Sequence, residues 1–339
     1  MNTLSLHSGR TATLSSGRFS LRCLALAVRC WLVSACLLAT TAAAFAGPAG
    51  RPAVATFPLE VTDALGRKLV FQKAPERIVS LTPSNTETLF AVGGGERVVG
   101  VTRFCNYPDE AQALPKIGGF VARTISVEAI VALHPSLVVA GDENQRPIIE
   151  ALEQLGIPVI SVKVRDFGDL YTTILLQGRL VDREAAAIEL VAKMRARVEA
   201  VTRRVASIPA EKRLRVFWEV FDEPLMGAGP RSIVGQEIAL AGGINIFDDV
   251  QEDYPHVSTE AVIMRDPQII LGPKLMRASS LTAEHLAKRS GWSTITAVRL
   301  GRVVALPDEP VSRPGPRLVD GLELLAAQIY PEYFPAVAK

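Results

Sequence analysis

The chain has 339 residues, 48% of them hydrophobic and 21% charged, with 37 Lys and Arg against 35 Asp and Glu. That length is sufficient for two buried cores. The net charge of +2 excludes the strongly basic balance that is typical of nucleic-acid-binding proteins, so no nucleic acid partner is expected.

The first 46 residues have the pattern of an export signal. They hold four arginines, no acidic residue, an apolar run over 30–43, and small residues at 44 and 46 that suit signal cleavage. The run is too short for a lasting membrane span. We therefore expect a periplasmic protein that lacks residues 1–46. The alternative is a lipoprotein anchored through Cys36, which we disfavour because the apolar run continues beyond that residue.

From residue 47 onward, apolar runs alternate with helix-forming stretches. Residues 47–74 are predicted as a lead with edge strands, residues 75–168 as an N-terminal lobe, and residues 208–335 as a C-terminal lobe. Strands that alternate with helices indicate mainly parallel sheets. The expected fold class is α/β, with two Rossmann-like lobes joined by one long α-helix.

The segment that connects the lobes is predicted to be helical. Residues 169–207 contain no proline and, apart from Gly178, no glycine, while Leu190, Met194 and Val198 recur at helical spacing. We interpret this segment as one long helix, bent near Gly178. A helix permits less relative movement of two lobes than flexible strands do, so little lobe closure is expected.

One stretch of sequence occurs twice, 132 residues apart. Residues 126–140 and 258–272 are each typical of a serine helix cap, a short helix with an acid in its first turn, a proline stop and an apolar strand. The acids are Glu128 and Glu260. Either one alone would be explained by the attraction of a carboxylate to a helix N-terminus, which contributes about 0.3–1 kcal/mol. Their recurrence indicates that both lobes present the same helix start to something outside.

The sequence has no catalytic or metal-binding constellation. It lacks a Gly-x-Ser-x-Gly elbow, a Walker phosphate loop and a Cys-x-x-Cys pair. We interpret His134, His256 and His285 as solvent-facing or helix-end residues rather than metal ligands. Cys105 is the only cysteine after residue 46, so an internal disulfide is excluded. These observations favour a binding protein without a cofactor over the alternative, an exported enzyme.

Several motifs resemble the solute receptors of bacterial ABC importers that have a helical backbone. They are residues 77–87 (RIVSLTPSNTE), 99–101 (VGV), Tyr107-Pro108, 128–138 (EAIVALHPSLV), 242–247 (GGINIF), and Glu260 with Pro267. As a set they are similar to the family that takes up cobalamin, ferric siderophores and haem. The stretches 80–87, 254–260 and 308–317 most resemble its periplasmic cobalamin-binding members.

The resemblance implies a ligand cleft between the lobes, at the carboxyl ends of the strands. The implied site residues are aromatic or apolar groups for the face of a corrin ring and charged groups for its amide arms. They are Phe104, Tyr107 and Phe120 in the N-terminal lobe, and Met226, Tyr254, Asp308 and Arg313 in the C-terminal lobe. Cobalamin receptors often carry tryptophans where this chain has Phe120 and Tyr254, which leaves a related corrinoid or another large chelate as alternative ligands.

The resemblance also implies an importer as partner. In this family one Glu lies at the top of each lobe and pairs with Arg residues of the membrane permease. The resemblance therefore assigns Glu128 and Glu260 to docking. The implied partner is an ABC permease dimer, the implied ligand is a cobalamin-type corrinoid, and the receptor itself is expected to be a monomer. A ferric siderophore or haem is the alternative ligand.

Simpler roles stay open for the implied site residues. Phe104 and Phe120 would alternatively anchor loops in the core. Tyr107 would stabilise a turn with the proline that follows it. Asp308 and Arg313 would form a surface ion pair of little energetic value.

Overall fold

The computed structural model describes residues 56–274 and 281–334 of the chain. The predicted signal over 1–46, Cys36 and the first residues of the lead lie outside the described residues. Within the two described ranges, no helix is both long enough and apolar enough to cross a membrane. Strands and helices alternate along both ranges.

The N-terminal lobe is built on a four-stranded parallel sheet. An antiparallel hairpin of β1 (Leu59–Thr62) and β2 (Lys68–Phe71) precedes it. The sheet contains β3 (Ile78–Ser80), β4 (Val98–Val101), β5 (Leu137–Ala140) and β6 (Val159–Ser161), in the order β4-β3-β5-β6. The hairpin turn is bound to the edge strand β6, because the Ala64 N–H donates to the Ser161 carbonyl at 3.0 Å. β1 and β2 thus form a separate two-stranded sheet beside the edge of the larger one.

Helices follow the strands of this lobe. They are α1 (Pro83–Ala91), α2 (Asp109–Gln112), α3 (Val127–Ala132), α4 (Arg146–Gln154) and α5 (Phe167–Leu180), with short 3₁₀ turns at Gly95–Arg97, Ala122–Thr124 and Glu143–Gln145. The start of α1 is fixed by Thr82, whose hydroxyl accepts the Asn85 N–H at 3.3 Å. A proline in the first turn, Pro83, suits the same position.

The connecting segment is two helices rather than one. After α5 ends at Leu180, the chain turns through Asp182, whose φ of 56° is left-handed, and α6 (Glu184–Val205) begins. One long helix joins the lobes as predicted, but it starts at Glu184 and not at residue 169. The left-handed turn ends the first helix, and Asp is among the few residues that tolerate this conformation. The 22 residues of α6 span about 33 Å.

Gly178 does not bend a helix, contrary to the prediction. It lies inside α5, where a Cβ atom would come within 2.3 Å of the Ala187 Cβ on α6. Its lack of a side chain lets the two helices pack closely. The helix α6 is thereby fixed to the N-terminal lobe, while its later part contacts helices of the C-terminal lobe.

The C-terminal lobe contains a second, mainly parallel sheet. Its strands are β7 (Arg215–Asp222), β8 (Leu225–Gly227), β9 (Ile244–Asn245), β10 (Ile269–Pro273) and β11 (Val303–Leu306). The order is β11-β10-β7-β8; β9 also pairs with β7, and only the β7–β8 pair is antiparallel among these described strands. The helices are α7 (Ile233–Leu240), α8 (Thr259–Arg265), α9 (Ala283–Ala287), α10 (Thr296–Arg299), α11 (Asp308–Ser312) and α12 (Leu318–Ile329), with 3₁₀ turns at Ala210–Lys212 and Trp292–Thr294.

The repeated sequence forms the same structural unit in both lobes. Ser126 and Ser258 cap α3 and α8, and each hydroxyl accepts a backbone N–H at 3.1 Å. The chain leaves each helix through a left-handed residue just before the proline, His134 with φ of 46° and Asp266 with φ of 40°. A parallel strand follows in both lobes, β5 or β10. The predicted repeat is confirmed.

An arginine outside the repeated stretch fixes each unit. Arg77, just before β3, donates from Nε to the Leu133 carbonyl at 3.0 Å. Arg215, which begins β7, donates from Nε to the Asp266 carbonyl at 3.0 Å. Both guanidinium groups satisfy carbonyls at a helix C-terminus, where a positive charge is favourable. The equivalence of the two lobes therefore extends beyond the repeated residues.

One apolar core runs through both lobes and α6. It includes Ile78 of β3, Val139 of β5, Met194 and Val201 of α6, and Trp218 of β7. Separating the lobes beside α6 would expose this surface, at about 25 cal/mol per Å² of apolar area. The lobes are therefore joined by packing as well as by the covalent chain.

We expect ligand binding to change the spacing of the lobes little, because α6 and the shared core resist separation on one side of the molecule. Small-angle X-ray scattering with and without ligand measures this as the radius of gyration. A decrease as large as that of receptors whose lobes are joined by flexible strands would contradict the expectation.

Candidate functional site

A cavity of about 480 Å³ lies between the two lobes. Its N-terminal wall consists of loops that follow β3, β5 and β6, together with Phe120 and Val121. Its C-terminal wall consists of the turn before α7, Tyr254, and residues 308–314 after β11. Open α/β sheets bind ligands at the carboxyl ends of their strands, and a cavity of this size is in the usual range for small-molecule sites.

One aromatic ring from each lobe lines the cavity. Phe120 is 48% exposed, and its carbonyl accepts a hydrogen bond from Gln145 Nε2 at 2.9 Å. Tyr254 is 45% exposed, and the carbonyls on either side of it accept the N–H groups of Gly227 and Gly229. The backbone therefore holds both rings in place while their faces stay available to a ligand. The alternative role of Phe120 as a core anchor is wrong.

The remaining aromatic and apolar candidates do not line this cavity. Phe104 is 47% exposed and lies beside the Arg103 guanidinium, so it is not a core anchor either. Phe104 and Tyr107 lie in the connection after β4, as Phe120 does, but of these three residues only Phe120 lines the cavity. Met226 is half-buried in β8, where its backbone pairs with His256. The structure brings Phe120 and Tyr254 together and leaves these three residues apart.

The Tyr254 phenol is a hydrogen-bond donor at neutral pH. Burial raises its pKa, and the neighbouring Asp253 raises it further. Asp308 also lines the cavity, at the start of α11, and accepts a hydrogen bond from the Ser312 hydroxyl at 2.7 Å. This edge of the cavity therefore offers both a donor and acceptors to polar groups of a ligand.

A buried carboxylate connects the two lobes at the Arg313 end of the cavity. Glu87 of α1 is 2% exposed and accepts hydrogen bonds from Arg313 Nη1 at 2.7 Å and from Arg317 Nη2 at 2.7 Å. Arg313 also donates to Asn106 Oδ1 at 2.8 Å. The Arg317 guanidinium lies 3.8 Å from the centre of the Tyr107 ring. Burial disfavours the charged form of Arg317, but the hydrogen bonds to Glu87 outweigh this effect and raise its pKa.

This cluster changes the interpretation of Arg313. The sequence suggested a ligand contact or a surface ion pair, whereas the guanidinium is bound to Glu87 across the cavity edge and its side chain is only 16% exposed. We assign Arg313 to the contact between the lobes. Sequence reasoning missed Glu87, because its partners lie 226 and 230 residues further along the chain. The one available signal was the acid at the end of the 77–87 motif.

A second contact between the lobes involves α7. Gln236 Nε2 of α7 donates to the Arg165 carbonyl, after β6, at 2.6 Å. This contact follows the edge strand β6, whereas Glu87 follows the inner strand β3, so the two contacts lie at different places along the cavity. Hydrogen bonds thus join the two lobes at two separate places beside the cavity.

The charged side chains that line the cavity are balanced. Four are cationic, namely Lys163, Arg165, Arg231 and Arg313, and four are anionic, namely Asp142, Asp253, Asp308 and Glu309. Several are already paired, such as Arg231 with Asp253 at 3.3 Å. The cavity therefore has no surplus of positive charge for a polyanion. No cluster of metal-binding residues occurs within the described residues.

The acids of the repeat lie outside the cavity. Glu128 and Glu260 are exposed, and each is the second residue of its helix, α3 or α8. Hydrogen bonds from its own backbone N–H and from the Ser126 hydroxyl lower the pKa of Glu128, so it is anionic at neutral pH. The two helices present equivalent acidic starts on the two lobes.

A family model described as periplasmic binding protein matches residues 78–310. The chain belongs to this family. It is 32% identical over 283 residues to an ABC transporter substrate-binding lipoprotein of Bacillus subtilis, with 82% of this chain and 87% of the relative covered. It is 32% identical over 276 residues to a cobalamin-binding protein of Halobacterium salinarum, with 80% and 74% covered.

Solved structures of the family share the fold. A periplasmic heme-binding protein from Roseiflexus superposes with a TM-score of 0.68 at 28% identity, over 76% of this chain and 99% of that chain. Membership confirms the predicted α/β fold with two lobes, the periplasmic location and the association with an ABC importer. Periplasmic binding proteins of this kind bind solutes and work with a permease, and they are not a family of enzymes.

A buried carboxyl group lies behind the C-terminal wall of the cleft. Glu237 is on α7, one turn after the cleft residue Ile233, and is fully buried. Neither of its carboxyl oxygens has a hydrogen-bond partner among the described residues. Burial raises its pKa well above the usual value of a glutamate. The folded protein therefore favours the protonated, neutral form of this side chain.

We expect Glu237→Gln to stabilise the protein at pH 8.5 but not at pH 5. A raised folded-state pKa gives a contribution that is fully present below the unfolded-state pKa and is lost as pH rises through the folded-state pKa. Glutamine resembles the neutral acid and does not ionise, so it avoids this loss. Urea unfolding at the two pH values measures the difference. Glu150→Gln, at an exposed position of α4, is the control, and an equal effect of Glu237→Gln at both pH values would contradict the assignment.

Proposed function

We propose that the cleft binds a cobalamin-type corrinoid and that the protein delivers it to an ABC import permease. The observation that carries this proposal is the pair of half-exposed rings, Phe120 and Tyr254, which line one cavity from opposite lobes. A corrin ring presents a large, flat, partly apolar face. Aromatic rings held by a fixed backbone match such a face without a large loss of side-chain entropy.

The balanced charge of the cleft supports the same ligand class. Corrin amide arms carry donors and acceptors but no charge, and Asp308, Asn144 and the Tyr254 hydroxyl lie among the residues that would meet them. An anionic ferric chelate would be matched better by an excess of cationic side chains. The cobalamin-binding relative supports the corrinoid, while the heme-binding structure makes haem the main alternative outcome.

We infer that the mature protein is released into the periplasm without catalytic activity of its own. The Bacillus relative is named a lipoprotein, so anchoring through Cys36 is the alternative that a membrane fractionation of the expressed chain would reveal. The lack of a nucleophile–base pair in the sequence supports a role in binding alone.

We further infer that Glu128 and Glu260 bind the permease. Both are exposed, both begin equivalent helices, and neither lines the cleft. Two separate charged contacts on one molecule reinforce each other, because the second forms within the complex once the first is made.

We expect cyanocobalamin to bind one per monomer, and Phe120→Ala and Tyr254→Ala each to weaken binding by about 1–3 kcal/mol, because each removes a ring from a desolvated wall. Isothermal titration calorimetry measures the change. Phe104→Ala is the matched control: it removes a ring that is equally exposed but lies outside the cavity, so the affinity should not change. Binding of haem or a ferric siderophore, with no binding of any corrinoid, would replace this proposal by its alternative.

We expect Glu128→Ala and Glu260→Ala to reduce ligand-stimulated ATP hydrolysis by the reconstituted importer and to leave cyanocobalamin affinity unchanged. The double variant should lose more than either single variant, and replacement by Arg should be more harmful, because it sets like charges against each other. Glu150→Ala on α4 is the control for removing an exposed acid. If the double variant stays folded but no longer binds the ligand, these acids belong to the cleft and docking is wrongly assigned.

A further inference from the structure

A side cavity adjoins the cleft at the loop that follows β6. Its volume is about 410 Å³, and its walls are the hairpin turn around Asp63, the end of β6 and the first half of α5. A cavity of this size is in the usual range for small-molecule sites. The loop residues Val162, Lys163 and Arg165 line both the side cavity and the cleft. The two cavities therefore meet along this loop.

The walls of the side cavity offer hydrogen-bond acceptors. The Ser161 and Thr172 hydroxyls each donate to a backbone carbonyl, at 2.7 and 3.0 Å, so their oxygens can accept a further hydrogen bond. The Asp63 carboxylate is already neutralised, because it accepts hydrogen bonds from Arg67 Nε at 2.9 Å and from the Ser161 N–H at 3.1 Å. A ligand group that carries hydroxyl donors and no positive charge suits this wall.

Lys163 is an unpaired cation at the junction of the two cavities. The other cationic side chains that line the cleft each form an ion pair, with nitrogen–oxygen distances of 2.7 to 3.3 Å; they are Arg165, Arg231 and Arg313. The Lys163 side chain is exposed, and within residues 56–274 and 281–334 its ammonium group has no ion pair or hydrogen bond. Arg165 donates to both carboxylate oxygens of Asp169, at 2.7 and 3.2 Å, and is the main cause of the lowered pKa of that acid; the charge of Lys163 contributes less. The ammonium group is therefore available to an anionic group of a ligand.

We propose that the side cavity holds the sugar–phosphate part of the nucleotide arm of a complete corrinoid. The phosphodiester lies beside Lys163, and the ribose faces the hydroxyl oxygens of Ser161 and Thr172. This proposal rests on the proposed corrinoid ligand and adds the part of it that the protein recognises by charge. The corrin ring itself stays in the cleft between Phe120 and Tyr254.

The chemistry of the nucleotide arm matches the junction. A phosphodiester carries one negative charge at neutral pH, and a hydrogen bond between an ammonium group and a phosphate oxygen is stronger than one between neutral groups. The ribose beyond it supplies hydroxyl donors for the acceptors of the side cavity. The other arms of the corrin are uncharged amides, for which Lys163 offers no comparable gain. The arm would therefore fix the rotation of the corrin ring within the cleft and distinguish a complete corrinoid from cobinamide, which lacks the nucleotide.

Two corrinoids that share the corrin ring test the proposal, because cyanocobalamin has the nucleotide arm and dicyanocobinamide lacks it. Lys163→Met removes the charge and keeps an unbranched side chain. Thr172→Trp fills the side cavity from an exposed position of α5 that does not line the cleft. The matched controls are Lys212→Met and Thr294→Trp, at an exposed lysine and an exposed threonine outside both cavities. Isothermal titration calorimetry at low ionic strength measures the affinity of each protein for both corrinoids, and a thermal melt checks that each variant is folded.

We expect the unaltered protein and both controls to bind cyanocobalamin about tenfold more tightly than dicyanocobinamide, as a charged hydrogen bond and its neighbours allow. Lys163→Met and Thr172→Trp should each reduce this preference to about threefold or less, through weaker binding of cyanocobalamin. Added salt should reduce the preference of the unaltered protein as well, because it screens the ammonium group. An unchanged preference in both variants, or no preference in the unaltered protein, overturns the side-cavity proposal and leaves the corrinoid function in place. If the unaltered protein binds neither corrinoid, the proposed function fails, and the side-cavity proposal fails with it.

Discussion

The contact between Glu87 and its two arginines determines the geometry of the cleft. A carboxylate that is 2% exposed requires partners, and removing one partner of a buried ion pair typically costs about 3–5 kcal/mol because a charge is left uncompensated. Arg313 and Arg317 come from the other lobe, so the stable position of this charge defines one distance between the lobes. The shared apolar core beside α6 sets a second distance between the lobes. The width of the cleft is therefore a property of the fold and is not imposed by the ligand.

The sequence predicted the fold wherever local chemistry determines it. Alternating strands and helices, the hairpin over residues 59–71 and both copies of the repeat follow from apolar spacing, serine caps and prolines. The start of the connecting helix does not follow from these signals, because the left-handed turn at Asp182 leaves no trace in apolar spacing. The role of Gly178 depends on Ala187 of another helix, which periodicity within one segment cannot reveal.

The candidate site could be predicted in part. Tyr254 was found because the stretch 254–260 resembles a family whose ligand lies at strand ends, and Phe120 as an aromatic residue of a long loop after a strand; the fold brings both to one cavity. Phe104 and Tyr107 lie in the same connection after β4 as Phe120, and which part of that connection reaches the cavity is not readable from the chain. Arg313 was found as a charge near the cleft, yet its partner Glu87 is 226 residues away. Pairs formed over such distances are decided by tertiary packing alone.

The hydrogen bonds that join the lobes at two places beside the cleft have a kinetic consequence. A site that is already formed needs no preceding rearrangement, so association is limited by diffusion and by the orientation of the ligand at the cleft. The observed rate of ligand association should rise linearly with ligand concentration, without the plateau that a slow opening step produces. Differences in affinity between ligands then arise from dissociation rates. The residence time of the ligand, and with it the time available to meet an importer, is set by the contacts inside the cleft.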